Sequence, residues 1–277
     1  MRAQAPDTSP VTVITGATSG IGLELARLAA REGAVLLVAR SASMLETVRA
    51  ELRDLPDGAA SGSPAVHILP LDLAAPGSVP KLMAHLAGLG LHCERLVNNA
   101  GFGLVGPAAA LDARAQEEMV ALNVASPTSL TLAVLPGMIA RRRGGLLNVS
   151  SVASFLPGAH MAVYYATKAF VTKLSEALWQ EARGAGVAVT ALCPGPVHTG
   201  FIARATGRET GFQLRTTPFH VPAAEVARQG WEGLRAGRRL VIPGLANRVV
   251  VAAARFVPPR LLIALMSRYQ SSRPSAA

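Results

Sequence analysis

The sequence predicts an α/β fold: a single doubly wound (Rossmann-type) domain, with a central parallel sheet of about seven strands and helices on both faces. Three observations lead there. Short runs rich in Val, Leu and Ile alternate along the chain with longer stretches of helical periodicity. The runs are continuously apolar, as strands buried on both faces must be. The residue clusters able to do chemistry fall just after those runs, and open parallel sheets bind ligands outside the carboxyl ends of their strands.

The elements follow in order. Residues 11–15 are β-branched and apolar and form the first strand; a glycine turn and a helix to about 32 follow. Strand two covers 34–39, and a helix over 42–55 stops at Pro56. Residues 56–64 are a Gly/Ser/Pro loop, not a domain linker, because the same rhythm resumes behind it. Strand three covers 67–71, a helix 79–89, and strand four ends over 95–98. A long helical region over 113–142 leads to strand five at 146–149. A helix over 163–184, strand six at 187–192 and a short seventh strand at 240–242 complete the pattern. With no internal repeat or low-complexity tract, residues 1–277 read as one domain, with a substrate lid over about 200–222 and an apolar tail over about 245–277.

Composition narrows the function. Half of the 277 residues are hydrophobic and 16% are charged, which suits a packed enzyme core and excludes a disordered chain. The net charge of +10 does not point to nucleic acid. The basic residues are scattered apart from Arg141, Arg142 and Arg143, and at 4% aromatics there is no stacking platform. Such a field suits recruitment of an anionic cofactor or approach to an anionic membrane surface. Cys93 and Cys193 lie far apart with no Cys/His ligand spacing, so no metal is expected and both read as lone buried thiols. Residues 1–10 show no signal-peptide pattern, and no stretch reaches about 18 apolar residues. The expected setting is reducing and cytoplasmic.

The segment Thr15-Gly16-Ala17-Thr18-Ser19-Gly20-Ile21-Gly22 joins the first strand to the first helix. Glycines there allow a tight turn and let backbone approach a pyrophosphate, which the free N–H groups and positive end of the helix attract. The end of strand two reads Ala39-Arg40-Ser41, with no acidic residue. A carboxylate at that place accepts from the ribose hydroxyls of NAD, whereas an arginine suits the 2′-phosphate of NADP. Arg40 is planar and permanently charged, so it can hold a phosphate through two bonds.

The spacing Gly-x-x-x-Gly-x-Gly resembles the short-chain dehydrogenase/reductase family, and the match continues in order along residues 11–200. Asp72-Leu73 follows strand three, and Asn98-Asn99-Ala100-Gly101 follows strand four. Asn123 lies in the long helix, and Ser150-Ser151 closes strand five. Tyr164-Tyr165-Ala166-Thr167-Lys168 opens the next helix, and Pro194-Gly195-Pro196-Val197-His198-Thr199 follows strand six. The resemblance implies that Asp72 hydrogen-bonds the adenine, that Leu73 belongs to the cofactor site beside it and that Asn99, Ala100 and Gly101 line the adenosine side. It also implies that Val197 and Thr199 meet the carboxamide, that Pro194 and Gly195 belong to the cofactor site and that Lys168 holds the nicotinamide ribose.

Tyr164 and Lys168 are four residues apart on a helix and so share a face. A phenol with a pKa of about 10 is a poor base at neutral pH, and a nearby ammonium lowers that value. Tyr164 can then exchange a proton with an alcohol or alkoxide oxygen. Tyr165 could also reach that face; the family's Tyr-x-x-x-Lys spacing selects Tyr164. A fixed hydroxyl stabilises the charge that develops on a reduced carbonyl oxygen. Ser151 suits that task, with Ser150 as the alternative. By resemblance Asn123 positions a water that links Lys168 to solvent. His160 and His198 lack an adjacent partner and read as pocket or surface residues.

These residues predict an oxidoreductase that uses NADP(H) on a small apolar carbonyl or alcohol, with homo-oligomers expected from the family. The reading from a different class is a non-catalytic NADP-binding scaffold or sensor. Phe201, Ile202, Phe212, Leu214 and Phe219 give the lid segment an apolar character, while Arg204, Arg208 and Arg215 could meet an anionic group or face water. In the tail, Asn247 reads as the cap of a helix to about 257, and Pro258-Pro259 separate it from a second apolar stretch, 260–268. Arg248, Arg255, Arg260 and Arg268 flank these stretches. They either bury against the domain or a second subunit, or make peripheral membrane contact.

Overall fold

The computed structural model describes residues 8–54, 65–197 and 218–271. Along the chain come β1 (Ser9–Thr15), α1 (Gly20–Ala30), β2 (Val35–Ala39), α2 (Ala42–Arg53), β3 (Val66–Pro70), α3 (Ser78–Gly88) and β4 (Leu91–Asn98). They are followed by α4 (Ala113–Val120), α5 (Ser126–Arg141), β5 (Gly144–Val149), α6 (Ala162–Ala182) and β6 (Val187–Leu192). The last elements are α7 (Ala223–Arg235), β7 (Leu240–Val241), α8 (Leu245–Ala254) and α9 (Pro259–Ser271). The seven strands form one sheet in the order β3-β2-β1-β4-β5-β6-β7, with every neighbouring pair parallel. The order reverses between β1 and β4, and such a switch opens a crevice at the carboxyl ends of the strands.

Side chains of a strand alternate between its faces, so each strand feeds two cores. Val35 and Leu37 of β2 pack with α1, α2 and α7; Leu36 and Val38 pack on the other face with α3, α5 and α6. All four are fully buried, as are Ile14, Leu96 and Leu147. Each side chain of this size contributes about 1.5–3 kcal/mol when taken out of water.

β1, β4 and β5 begin two to four residues before the apolar runs that reveal them. Their first residues are Ser9 and Pro10, Leu91 to Glu94, and two glycines, which carry no continuous apolar signal. The sequence pattern leaves α7 unassigned, although Val226, Ala227, Gly230, Trp231 and Leu234 make a buried stripe at helical spacing. Trp231 Nε1 donates to Glu32 Oε1 at 2.7 Å, which ties α7 to the end of α1.

Residues 113–141 form one continuous helical stretch of 29 residues, widened by a π turn at Ala121–Ala125. By length and composition it is apolar enough to cross a membrane, with a mean hydropathy of 1.4, contrary to the expectation that no stretch would be. A third of this apolar segment is buried, and its buried residues Leu130, Val134 and Met138 belong to the core under β4 and β5. Both cysteines are free and buried, as expected. The loop 56–64, His198, Thr199 and 200–217 of the expected lid lie outside the described residues.

Candidate active site

At the carboxyl ends of β1, β4, β5 and β6 lies a cleft of about 1410 Å³. One half is backbone-rich. Gly16 sits at φ +65° with a Cβ position only 2.9 Å from the Ala100 Cα, and a Cβ on Gly22 would run into the Gly16 carbonyl and the Asn99 amide. The turn and the strand-four loop thus touch backbone to backbone, which only glycine permits. Asn99 braces the contact: its Nδ2 donates to the carbonyls of Thr15 and Gly16, both at 3.0 Å. Thr15 holds the same loop, its hydroxyl accepting from the amides of Asn99 and Ala100 at 2.9 and 3.0 Å. Sequence pattern gives Thr15 no role of this kind.

Ser19 stands just before α1 and its side chain makes no capping bond, and Thr18, Ser19, Gly20 and Ile21 line the cleft at this uncapped helix end. Arg40 is exposed at the end of β2 and lines this half; among the described residues it pairs with no carboxylate. Asp72, Leu73, Asn99, Ala100 and Gly101 line it too, and the Asp72 carboxylate accepts from the Ala74 amide at 3.0 Å. A cradle without Cβ atoms, a bare helix end and a lone arginine fit a dinucleotide.

The other half carries side chains. The 21-residue α6 presents Tyr164 and Lys168 on one buried face, as their spacing requires. Lys168 Nζ donates to the Val149 carbonyl at 2.9 Å and lies 5.9 Å from the centre of the Tyr164 ring. Ser151 projects from the end of β5 and is hydrogen-bonded to Tyr164. Its hydroxyl also accepts from the Ala153 amide at 3.1 Å. Ser150 points the other way: it donates to the Lys168 carbonyl at 2.8 Å and meets the Thr172 hydroxyl at 2.7 Å. Both serines line the cleft, but the structure separates their hydroxyls: that of Ser151 meets Tyr164 and that of Ser150 braces α6.

Asn123 sits in the π turn and is 2% exposed. Its Oδ1 accepts from the Phe102 amide at 3.1 Å, while its Nδ2 donates to the Phe102 carbonyl at 2.9 Å and to Thr167 Oγ1 at 3.2 Å. A Cβ on Gly101 would lie 2.8 Å from Asn123 Oδ1 and 3.6 Å from Lys168 Nζ, so the three residues converge. Tyr165 meets Tyr164 edge to face at 6.1 Å and packs its ring over Gly158. Pro194, Gly195 and Val197 close the cleft behind β6; Thr199 lies outside the described residues.

The electrostatics differ from the sequence expectation in one respect. Lys168 was expected to hold the Tyr164 phenol below its ordinary value. Burial instead raises it, with the Ser151 hydrogen bond opposing, and burial brings the Lys168 ammonium down to about 8. Desolvation acts on both charged forms and outweighs an attraction across the ring.

Asn247 is a second correction. It is not a helix cap: Gly244 stands before α8, and Asn247 lies inside the helix, 2% exposed. Its Nδ2 donates to the Pro243 carbonyl at 2.8 Å and to the Phe219 carbonyl at 3.1 Å, and its Oδ1 abuts Gly195. It thereby ties α8 to the loop behind β6 and to the chain returning at Phe219. Val250 of α8 and Met266 of α9 complete the cleft wall, which no local pattern reveals.

The model of the short chain dehydrogenase family matches residues 10–209. The chain belongs to the short-chain dehydrogenase/reductase family. Among its relatives, the "Dehydrogenase/reductase SDR family member 7B" of Rattus norvegicus is 28% identical over 99% of this chain and 86% of its own length. The "Very-long-chain 3-oxoacyl-CoA reductase" of Homo sapiens is 34% identical over 66% of this chain and 57% of its own. A short-chain dehydrogenase from Sphingobium yanoikuyae, solved in complex with NADPH, superposes with a TM-score of 0.75 at 31% identity, covering 97% of this chain and 98% of its own. Short-chain dehydrogenases use a nicotinamide cofactor, and the protein is an oxidoreductase of this family.

Proposed function

We propose that the protein uses NADP(H) to interconvert a carbonyl and a secondary alcohol in a small apolar substrate. The observation that carries this reading is one cleft with two chemically distinct ends. Arg40 stands at one end and, among the described residues, pairs with no carboxylate, while Ser151, Tyr164 and Lys168 stand together at the other. The NADPH in the Sphingobium yanoikuyae relative supports the same preference.

Arg40 would take the 2′-phosphate, and Gly16, Thr18, Ser19, Gly20, Ile21 and Gly22 the pyrophosphate. Asp72, Leu73 and Asn99 to Gly101 would take the adenosine, Tyr164 and Lys168 the second ribose, and Pro194, Gly195, Val197 and Thr199 the carboxamide. When bound, the cofactor supplies or accepts the hydride at the substrate carbon.

The chain's own residues manage the proton. Burial keeps the Tyr164 phenol protonated at neutral pH, which makes it a donor to the oxygen of a carbonyl undergoing reduction. The Ser151 hydroxyl donates to the same oxygen as charge develops there, an effect worth about 10²–10³ in rate. Lys168, with its value near 8, is still mostly charged at pH 7 and favours the phenolate left after donation. Asn123 holds a water that connects Lys168 to solvent. Phe102, Leu104, Met161, Val250 and Met266 make the substrate wall apolar. Exposed Leu132 and Ile139 on α5 and Phe170 on α6 offer a surface for a second copy in a homo-oligomer.

The test is cofactor titration followed by a panel of ketones. NADPH should bind at least about tenfold tighter than NADH, the worth of one charge-assisted pair. Arg40→Asp should weaken NADPH by a similar factor and improve NADH relative to it. Equal affinities in the parent protein would refute the cofactor assignment, and no turnover of any carbonyl or alcohol would favour the scaffold reading.

A further inference from the structure

Thirteen large apolar side chains are exposed among the described residues, and seven of them fall between Leu245 and Leu265. Leu245, Val249 and Val250 project from α8, Phe256 from the turn that follows it, and Leu261, Ile263 and Leu265 from α9. Phe256 is 87% exposed. Arg248, Arg255, Arg260 and Arg268 are exposed among them. No acidic residue occurs after Glu232, so this surface carries charge of one sign only. A second copy of the same face would meet it with the same positive charge. An anionic lipid surface is complementary in both respects, taking the apolar side chains at the acyl boundary and the arginines at the headgroups. With 10 and 13 residues, α8 and α9 are too short to span a bilayer and suited to lie in its plane.

The surface is also continuous with the cleft, because Val250 of α8 and Met266 of α9 are both part of the cleft wall. We propose that α8 and α9 form a docking surface that sets the protein on an anionic membrane, with the cleft bordering the bilayer so that an apolar substrate enters from the lipid. Docking stands on the surface alone; entry of substrate from lipid rests on the function proposed above.

The experiment uses the full-length protein and sedimented vesicles, either of phosphatidylcholine alone or with added phosphatidylglycerol. The protein should sediment with the anionic vesicles at low salt, leave them as ionic strength rises, and stay in the supernatant with neutral vesicles. Arg255→Glu with Arg260→Glu should lower partitioning by about thirtyfold or more, from two lost headgroup attractions. Phe256→Ser should weaken binding at every salt concentration.

A basic protein can adhere to anionic vesicles through net charge alone, so a matched control is needed. Arg114→Glu with Lys173→Glu alters the charge by the same amount at side chains 86% and 76% exposed on α4 and α6. It should leave partitioning within about twofold. An equal loss from both pairs would overturn the proposal, as would a parent protein that stays in the supernatant. Dissociation of an oligomer by the Phe256 substitution, without any change in vesicle binding, would assign the surface to a second copy instead. NADPH titration of each variant checks that the fold survives. Vesicle binding without turnover of any carbonyl would support docking and remove only the substrate-entry clause.

Discussion

Replacing Tyr164 by Phe removes one oxygen and keeps the ring. The phenol is hydrogen-bonded to Ser151, whose hydroxyl still accepts from the Ala153 amide at 3.1 Å when that partner is gone. No buried polar atom is stranded, so the folding cost is one net hydrogen bond, about 0.5–1.5 kcal/mol. For a domain of this size that lowers Tm by roughly 2 °C. The kinetic cost is of another order. Loss of a positioned general acid removes about 10²–10⁴ in rate, or about 3–5 kcal/mol of barrier stabilisation. Tyr165 tests the assignment, because its Phe variant keeps the ring packed over Gly158 and removes a hydroxyl that the proposed chemistry does not use. The assay follows NADPH absorbance with whichever ketone the parent reduces, beside an NADPH binding titration and a thermal melt for each variant. Tyr164→Phe should bind NADPH within about tenfold of the parent, the worth of one ribose hydrogen bond, and lose at least about a hundredfold in kcat. Tyr165→Phe should keep kcat within about threefold. Similar residual activity in the two variants would refute the reasoning.

Lys168 gives a pH prediction in two parts. As pH rises through about 8 the ammonium is lost, so kcat/KM for carbonyl reduction should fall on that side, and a flat profile between pH 7 and about 9.5 would exclude the role. Because the folded value lies below the unfolded one, the unfolded chain binds more protons between about 8 and 10.5. The share of stability that depends on Lys168 should therefore grow with pH across that window, against the opposite titration of the buried Cys93 and Cys193 thiols, which burial raises to about 12 and about 11. In urea unfolding the gap between parent and Lys168→Met should accordingly shift in the parent's favour as pH rises. Asn247→Ala should cost about 2–4 kcal/mol in the same assay, since the Phe219 and Pro243 carbonyls both lose their donor; a change below about 0.5 kcal/mol would show that Asn247 does not hold these segments together.

Much of the site was legible because its chemistry is local. The Tyr164/Lys168 interval survives any packing of α6, since helix geometry alone puts both on one face. The glycine turn needed only its place between the first strand and helix to be read as a phosphate cradle. The strand runs were visible for the same reason: a strand buried on both faces has to be apolar throughout. Where a strand begins on a polar or glycine edge, as at Ser9 and Gly144, that signal is absent and the boundary is lost. The helix Ala223–Arg235 carried a visible stripe of its own, yet nothing nearby in sequence marks it as the cover of β5 and β6.

The sequence by itself determined the fold class, the order of the elements and the residue types at each strand end. These depend on periodicity and on spacing within a few residues. Only the tertiary structure decided which serine hydroxyl meets Tyr164, because Ser150 and Ser151 differ by one residue and hence by the direction of their side chains. It also reversed the expected direction of the Tyr164 shift, since desolvation depends on what covers a side chain and not on its neighbours in sequence. Asn247 passed from helix cap to bridge, and Val250 and Met266 became cleft wall, through contacts among segments that only long-range packing brings together. Local sequence encodes which groups are available, and the packing of the chain sets their solvation and their partners.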